Sequence, residues 1–255
     1  MLVEASPFPQ AGARPDHLLL RLRGGLLARI ARHYRVVEDA LTVGTLTVAF
    51  TRIADPDEVL DRVAQEEDVR ERLAGRPKDQ PRPEPLHLPY WAELWESSLG
   101  LAVWLTSQPD RARGRRVLDL GCGMGLAGTV AAALGANVLL ADLEPPALLL
   151  AALNSLPWRQ RVRARRVDWR TDKLGERFDI ILGADILYER SQWEALDQFW
   201  RQHVTPAGTI LLGEPGRQTG ELFIPWAKER GWRMELFDQA VPKRPRPIRV
   251  IQLQP

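Results

Sequence analysis

The chain has one cysteine, Cys122, in 255 residues. That excludes an internal disulfide framework and a cysteine-rich zinc site, and a single reduced thiol fits a cytosolic protein. Histidine is nearly as scarce: His17, His33, His87 and His203 are too widely spaced to form a metal-ligand pattern. No charge of one sign dominates, and the net charge of +2 names no partner. The opening residues, MLVEASPFPQ, lack the basic start and apolar core of a secretory signal. Residues 120–141 run for 22 positions without a charge, the length of a membrane span. Five glycines and Asn137 interrupt that run, and strand, turn, helix and strand account for it better. No repeat recurs along the chain. What is abundant is tryptophan, nine residues against three tyrosines.

The rest is organised around residues 117–125, VLDLGCGMG. An apolar run that ends in glycines at alternate positions and gives way to a helical pattern reads as strand, tight turn, helix. Glycine serves such a turn because a backbone without Cβ takes positive φ and lies flush against a ligand. The turn therefore reads as the floor of a nucleotide-like site.

Along the chain, residues 1–14 form a lead-in and 15–34 a helix broken at Gly24-Gly25. Residues 34–53, rich in Val and Thr around Gly44, predict a β-hairpin. Asp55 caps a helix that starts at Pro56, with Glu58 completing a capping box, and ends at Gly75. Five prolines over residues 75–89 predict an extended linker. We therefore divide the chain into an N-terminal α+β extension, 1–88, and a main domain, 89–255.

The main domain opens with a helix over 91–107 that carries Trp95, Leu99, Ala102 and Val103 on one face. Strands follow at 116–120, 137–141, 162–167, 178–183 and 209–213, with helices over 126–134, 145–156, 191–203 and 221–230. Alternation of this kind predicts an α/β fold, a parallel sheet with right-handed crossovers and helices on both faces. Two final strands, 232–238 and 248–253, have no helix between them and must be antiparallel. Arg161, Arg163 and Arg165 alternate along the third strand, a pattern that protects a sheet edge.

A dinucleotide turn spaces its glycines GxGxxG, whereas Gly121, Gly123 and Gly125 are spaced GxGxG and Leu126 stands where the third glycine would be. Asp142, ending the next strand, is placed to accept ribose hydroxyls and also to cap the helix at Pro145-Pro146.

At this point the motifs carry a family resemblance. VLDLGCGMG, LLAD ending at Asp142, VDW ending at Trp169 and FDIILGADILY ending at Tyr188 resemble successive motifs of seven-β-strand, S-adenosylmethionine-dependent methyltransferases. PYWAELW, residues 89–95, and the acid-x-x-aromatic run from Asp185 to Tyr188 resemble the protein-lysine branch. The nearest likeness is to enzymes acting on the β subunit of electron-transfer flavoprotein. The likeness covers residues 89–255 and departs from the branch where Leu94 and Glu96-Ser97-Ser98 replace an aromatic and Pro-Gly-Gly.

The resemblance implies a Rossmann-like, seven-stranded, mostly parallel sheet with a C-terminal antiparallel hairpin, and S-adenosyl-L-methionine as cofactor. It places Gly121, Gly123 and Gly125 at the methionine end, with Asp119 orienting the turn or approaching the amino group. Asp168 and Trp169 would border the adenine, Ala184 would line the cofactor side, and Trp95 would close the site from above. Packing alone is the alternative for Trp169 and Trp95. Asp185 would capture and align the acceptor ammonium beside Tyr188, unless it caps the following helix. Glu214 and Pro215 are secondary candidates on the same rim.

The expected activity is methylation of a lysine side chain on a protein. Lys243, Arg244 and Arg246 in PKRPRP would favour an acidic surface on that protein, unless the loop is a solvated turn. Alternatives are another amine, small or protein-borne, on the same fold, and a non-catalytic RNA-binding or scaffold protein. ADILY lacks the NPPY-type run of nucleobase methyltransferases.

Overall fold

The computed structural model describes residues 16–73 and 88–255. The lead-in expected over 1–14 lies outside the described residues, as does all but the end of the expected linker.

Helix α1 (His17–Ala31) is capped by Asp16, whose carboxylate accepts from the Leu18 and Leu19 amides at 3.0 and 3.2 Å. It runs unbroken through Gly24-Gly25, against expectation. A glycine inside a helix costs about 1 kcal/mol relative to alanine, and the leucines and arginines around the pair favour the helix without any proline to break it. Strands β1 (Val36–Val43) and β2 (Leu46–Ile53) form the expected hairpin. Gly44 turns between them at φ +56°, pressed so close to Thr106 that a side chain would not fit. Helix α2 (Pro56–Leu73) starts where Asp55 accepts from the Asp57 amide at 3.0 Å, while Glu58 reaches Arg35 at 3.0 Å.

After a 3₁₀ turn (Tyr90–Ala92) come α3 (Glu96–Ser107), the short α4 (Pro109–Ala112), β3 (Arg116–Leu120), α5 (Leu126–Ala133), β4 (Asn137–Asp142) and α6 (Pro145–Asn154). The chain continues through β5 (Val162–Arg166), β6 (Phe178–Ala184), α7 (Trp193–His203), β7 (Val204–Glu214), α8 (Gln218–Glu229), β8 (Arg233–Gln239) and β9 (Ile248–Gln254). The seven strands from β3 onward order as β5-β4-β3-β6-β7-β9-β8. Strands β3 to β7 pair parallel, and β9 runs antiparallel to both neighbours. This is the expected Rossmann-like sheet. Strand order reverses between β3 and β6, which opens a crevice at the carboxyl ends of the strands. The arginine-bearing β5 is an edge strand, as its pattern predicts.

The helix expected from residue 91 begins only at Glu96. Trp95 holds the N-cap position in extended conformation, and its indole N–H donates back to the Tyr90 carbonyl at 2.8 Å. Of the apolar face expected for it, this helix buries only Ala102 outright. It buries Ser97, Gly100, Leu101, Ala102, Trp104 and Leu105 because it is wedged between sheet, hairpin and α5, whereas Leu99 and Val103 are half-buried.

Two apolar cores cover the sheet. Leu101, Leu105, Val130 and Leu150 on one face are continuous with Val43, Phe50 and Ile53 of the hairpin and Ile30 of α1. On the other, Trp193, Trp200, Phe223 and Trp232 pack mostly edge to face, which is where much of the tryptophan goes.

Candidate active site

The glycine turn leaves β3 at the crevice. Gly121, Gly123 and Gly125 have φ of +65°, +52° and +81°, the left-handed region that L side chains rarely adopt. A Cβ on Gly125 would also sit 2.8 Å from the Ala151 Cβ, so α6 packs directly on the turn. The turn is pinned at 3.0 Å by the Cys122 amide on the Ala141 carbonyl.

Two buried aspartates hold it from beneath. Asp142, at the head of β4, accepts from the Gly123 amide at 2.8 Å through one oxygen and the Glu144 amide at 2.9 Å through the other. Burial raises its pKa. Each oxygen keeps a second acceptor site, so the carboxylate can tie the turn and still receive a hydroxyl. Asp119, 1% exposed, accepts from the Gly128 amide at 2.8 Å. Burial pushes its pKa up to about 7. Its bond to Gly128 ties the end of β3 to the first turn of α5, just behind the glycine turn.

Trp169 lies beside this floor: its ring edge is 3.5 Å from where a Gly121 Cβ would stand, and its N–H donates to Gln192 Oε1 at 3.3 Å. The neighbouring Asp168 is bound to Arg170 through both oxygens, which holds its carboxyl below the usual range.

Across the crevice, β6 ends at Ala184 and the chain turns through Asp185 at φ +55°. A non-glycine residue there is uncommon and is held by its surroundings. The Asp185 amide donates to the Gly213 carbonyl at 2.9 Å, Ile186 and Leu187 are buried, and Trp193 donates to the Leu187 carbonyl at 3.1 Å. The Asp185 carboxylate caps no helix. It takes two bonds from Arg217, at 3.1 and 2.8 Å.

The Arg217 guanidinium stands 5.6 Å from the Trp95 ring centre. Trp95 meets Tyr90, and Tyr90 meets Tyr188 edge to face at 5.3 Å. Burial, then Glu189, pushes the Tyr188 pKa up to about 12, so the phenol stays protonated. Acid, guanidinium and three aromatic rings thus share one rim.

Residues 91–224 match the protein family described as lysine methyltransferase, over half of the chain. The chain belongs to that family. Electron transfer flavoprotein beta subunit lysine methyltransferase of Danio rerio is 34% identical over 135 residues, 51% of each chain. EEF1A lysine methyltransferase 3 of Mus musculus is 34% identical over 131 residues, 49% of this chain and 56% of its own. The chain thus spans about half the length of the curated relatives it matches. Among solved structures, the glycopeptide N-methyltransferase MtfA complexed with S-adenosyl-L-homocysteine superposes with a TM-score of 0.54 over 61% of this chain and 89% of its own, at 15% identity. That likeness is one of fold.

In this lysine methyltransferase family member, two secondary expectations from the sequence are revised. Glu214 is 2% exposed and accepts from the Gly216 and Arg217 amides at 2.9 and 2.5 Å, so it fixes the loop into α8 and does not line the rim. The 242–247 loop does emerge at the strands' carboxyl ends, because β8 runs parallel to β7. Arg244, however, is consumed internally: it pairs with Glu96 and donates to the Pro215 carbonyl at 2.6 Å and the Pro247 carbonyl at 2.9 Å. Sequence reasoning missed Tyr90 and Arg217. Tyr90 stands inside the PYWAELW run but was given no role there, and Arg217 gave no signal, standing 32 residues from the acid it meets.

Proposed function

We propose that the chain is an S-adenosyl-L-methionine-dependent N-methyltransferase that methylates a lysine side chain of a protein. The observation that carries this reading is a nearly buried carboxylate, Asp185, on a rim shared with Tyr188, Tyr90 and Trp95 and one residue before Ile186, which lies 3.0 Å from where a Gly121 Cβ would stand. Family membership and the lysine methyltransferases among its relatives support it.

The residues fit the cofactor. Three left-handed glycines leave a floor without side chains, and Gly121, Gly123 and Gly125 would receive the methionine end. Asp142 would take the ribose. Trp169, already against Gly121, would cover the adenine edge with Asp168 and the backbone of Ala184. When bound, the cofactor supplies a methyl group on a positively charged sulfur. The chain's own contribution is alignment, since displacement at that carbon needs the nucleophile held in line at near-attack distance.

A lysine amine has an ordinary pKa of about 10.4 and must lose a proton to attack. The aromatic walls of Tyr90, Tyr188 and Trp95 favour the neutral amine by desolvation; the Asp185 carboxylate favours the ammonium. Asp185 therefore captures and aligns the ammonium, the proton leaves to solvent, and the neutral amine attacks from between the rings. With Arg244 held internally, Lys243 and Arg246 remain as the positive charges of the loop facing an acceptor protein. The single, buried thiol of Cys122 suits the cytosolic setting we assign.

The test is incubation of the chain and tritiated S-adenosylmethionine with host lysate. A labelled protein band, lost with Asp185→Asn, is expected. Cofactor binding by calorimetry with label only in small molecules would move the acceptor to a free amine. No binding at millimolar cofactor would leave only a scaffold role.

A further inference from the structure

Asn154, the last residue of α6, is 3% exposed and joins two parts of the molecule that are far apart in sequence. Its carbonyl oxygen accepts from the Thr51 amide at 2.7 Å, and its amide nitrogen donates to the Thr51 carbonyl at 2.9 Å. The side chain thereby pairs with the outer edge of β2 as a neighbouring strand would. The second N–H of the same amide donates to the Met124 carbonyl, also at 2.9 Å. Met124 lies between Gly123 and Gly125, inside the glycine turn.

A second path converges on the same turn. Tyr34, just before β1, packs edge to face on Trp91 at 5.2 Å, and the Trp91 carbonyl lies 3.7 Å from where a Gly123 Cβ would stand. Met124 and Leu126 also share an apolar core with Val48, Phe50 and Ile53 of the hairpin.

We propose that the N-terminal hairpin is a working part of the cofactor site, with Asn154 as the positioning residue that couples Thr51 to the glycine turn. The proposal rests on the reading of that turn as the S-adenosylmethionine floor. A side-chain amide is the group that serves here, because it donates twice and accepts at once. Aspartate offers no donor to either carbonyl, and alanine leaves the Thr51 amide and both carbonyls buried without a partner. Coupling of this kind is reciprocal: if a seated hairpin favours the cofactor, a bound cofactor favours the seated hairpin.

The test has two arms. In the wild-type chain, saturating S-adenosylmethionine is expected to slow hydrogen exchange at the Thr51 amide together with the amides of residues 121–125. Amides of β8, at the far sheet edge, should be unchanged. By calorimetry, Asn154→Ala and Asn154→Asp, each checked for a cooperative thermal melt, should bind S-adenosylmethionine about tenfold or more weaker. Protection of residues 121–125 with no change at Thr51 would overturn the coupling, whatever the variants do. Failure of the wild-type chain to bind would instead overturn the cofactor reading, and the coupling with it.

Discussion

Asp185 and Arg217 meet through two N–H···O bonds, at 3.1 and 2.8 Å, in a side-by-side geometry that fits a guanidinium to a carboxylate. The acid is nearly buried and the arginine is not, with side-chain exposures of 8% and 43%. Arg217 therefore occupies the carboxylate that an acceptor amine would use. Asp185→Asn should lower methyl transfer by about a hundredfold through lost alignment and leave cofactor affinity within about twofold. Arg217→Ala should lower the acceptor KM by removing the competing cation. Steady-state kinetics with calorimetry separates the two; loss of cofactor binding in Asp185→Asn would move that residue to the other half of the site.

Asp142 holds the Gly123 and Glu144 amides with its two oxygens. Hydrogen bonds to charged groups contribute roughly 1.5–3 kcal/mol each, so Asp142→Ala should weaken cofactor binding by about a hundredfold or abolish it. Calorimetric titration with S-adenosylmethionine checks this. Unchanged affinity would remove Asp142 from the site.

Asp119 gives a pH signature. Burial raises its pKa from 3.8 to about 7 in the folded chain. An acid whose folded pKa is raised keeps its proton longer when folded than when unfolded, so its contribution to stability falls as pH rises between those two values. The slope is at most about 1.4 kcal/mol per pH unit. Asp119→Asn has no such titration. Its melting temperature should therefore gain on the wild type between pH 4 and pH 7 and hold a constant difference above pH 8. Parallel melting curves across that range would show that Asp119 titrates normally.

Arg244 and Lys243 are adjacent and should behave differently. Arg244 ties Glu96 at the start of α3 to the carbonyls of Pro215 and Pro247 with little exposure of its side chain. Arg244→Ala should cost about 1–3 kcal/mol through the carbonyls left without a donor. Lys243→Ala, on the exposed side of the same turn, should change stability by less than about 0.5 kcal/mol. Denaturant melts of the two variants, read against the wild type, decide it.

Local patterns were the legible ones. The run VLDL, the glycines after it and the return to helical spacing lie within a dozen residues, and the alternation from β3 to α8 follows from such windows. Asp142 was readable because it ends its own strand. Relations across the fold were not. Asn154 meets Thr51 across 103 positions, and nothing near either residue marks the other. WAELWES has the spacing of a helix, yet Trp95 spends its indole N–H on the Tyr90 carbonyl and stops the helix short. Gly24-Gly25 misled in the opposite sense, since a local cost is outweighed when α1 has a core and α6 to lie on.

Strand β9 has a consequence for synthesis. It is threaded between β7 and β8, both of which precede it in the chain. A ribosome therefore releases the floor of the crevice, from β3 to β7, well before the strand that seals one side of it. Until β9 emerges, the Ile210–Glu214 stretch of β7 presents an open edge of unpaired amides and carbonyls, and β8 has no partner at all. During that interval the open edge of β7 offers a template for another strand.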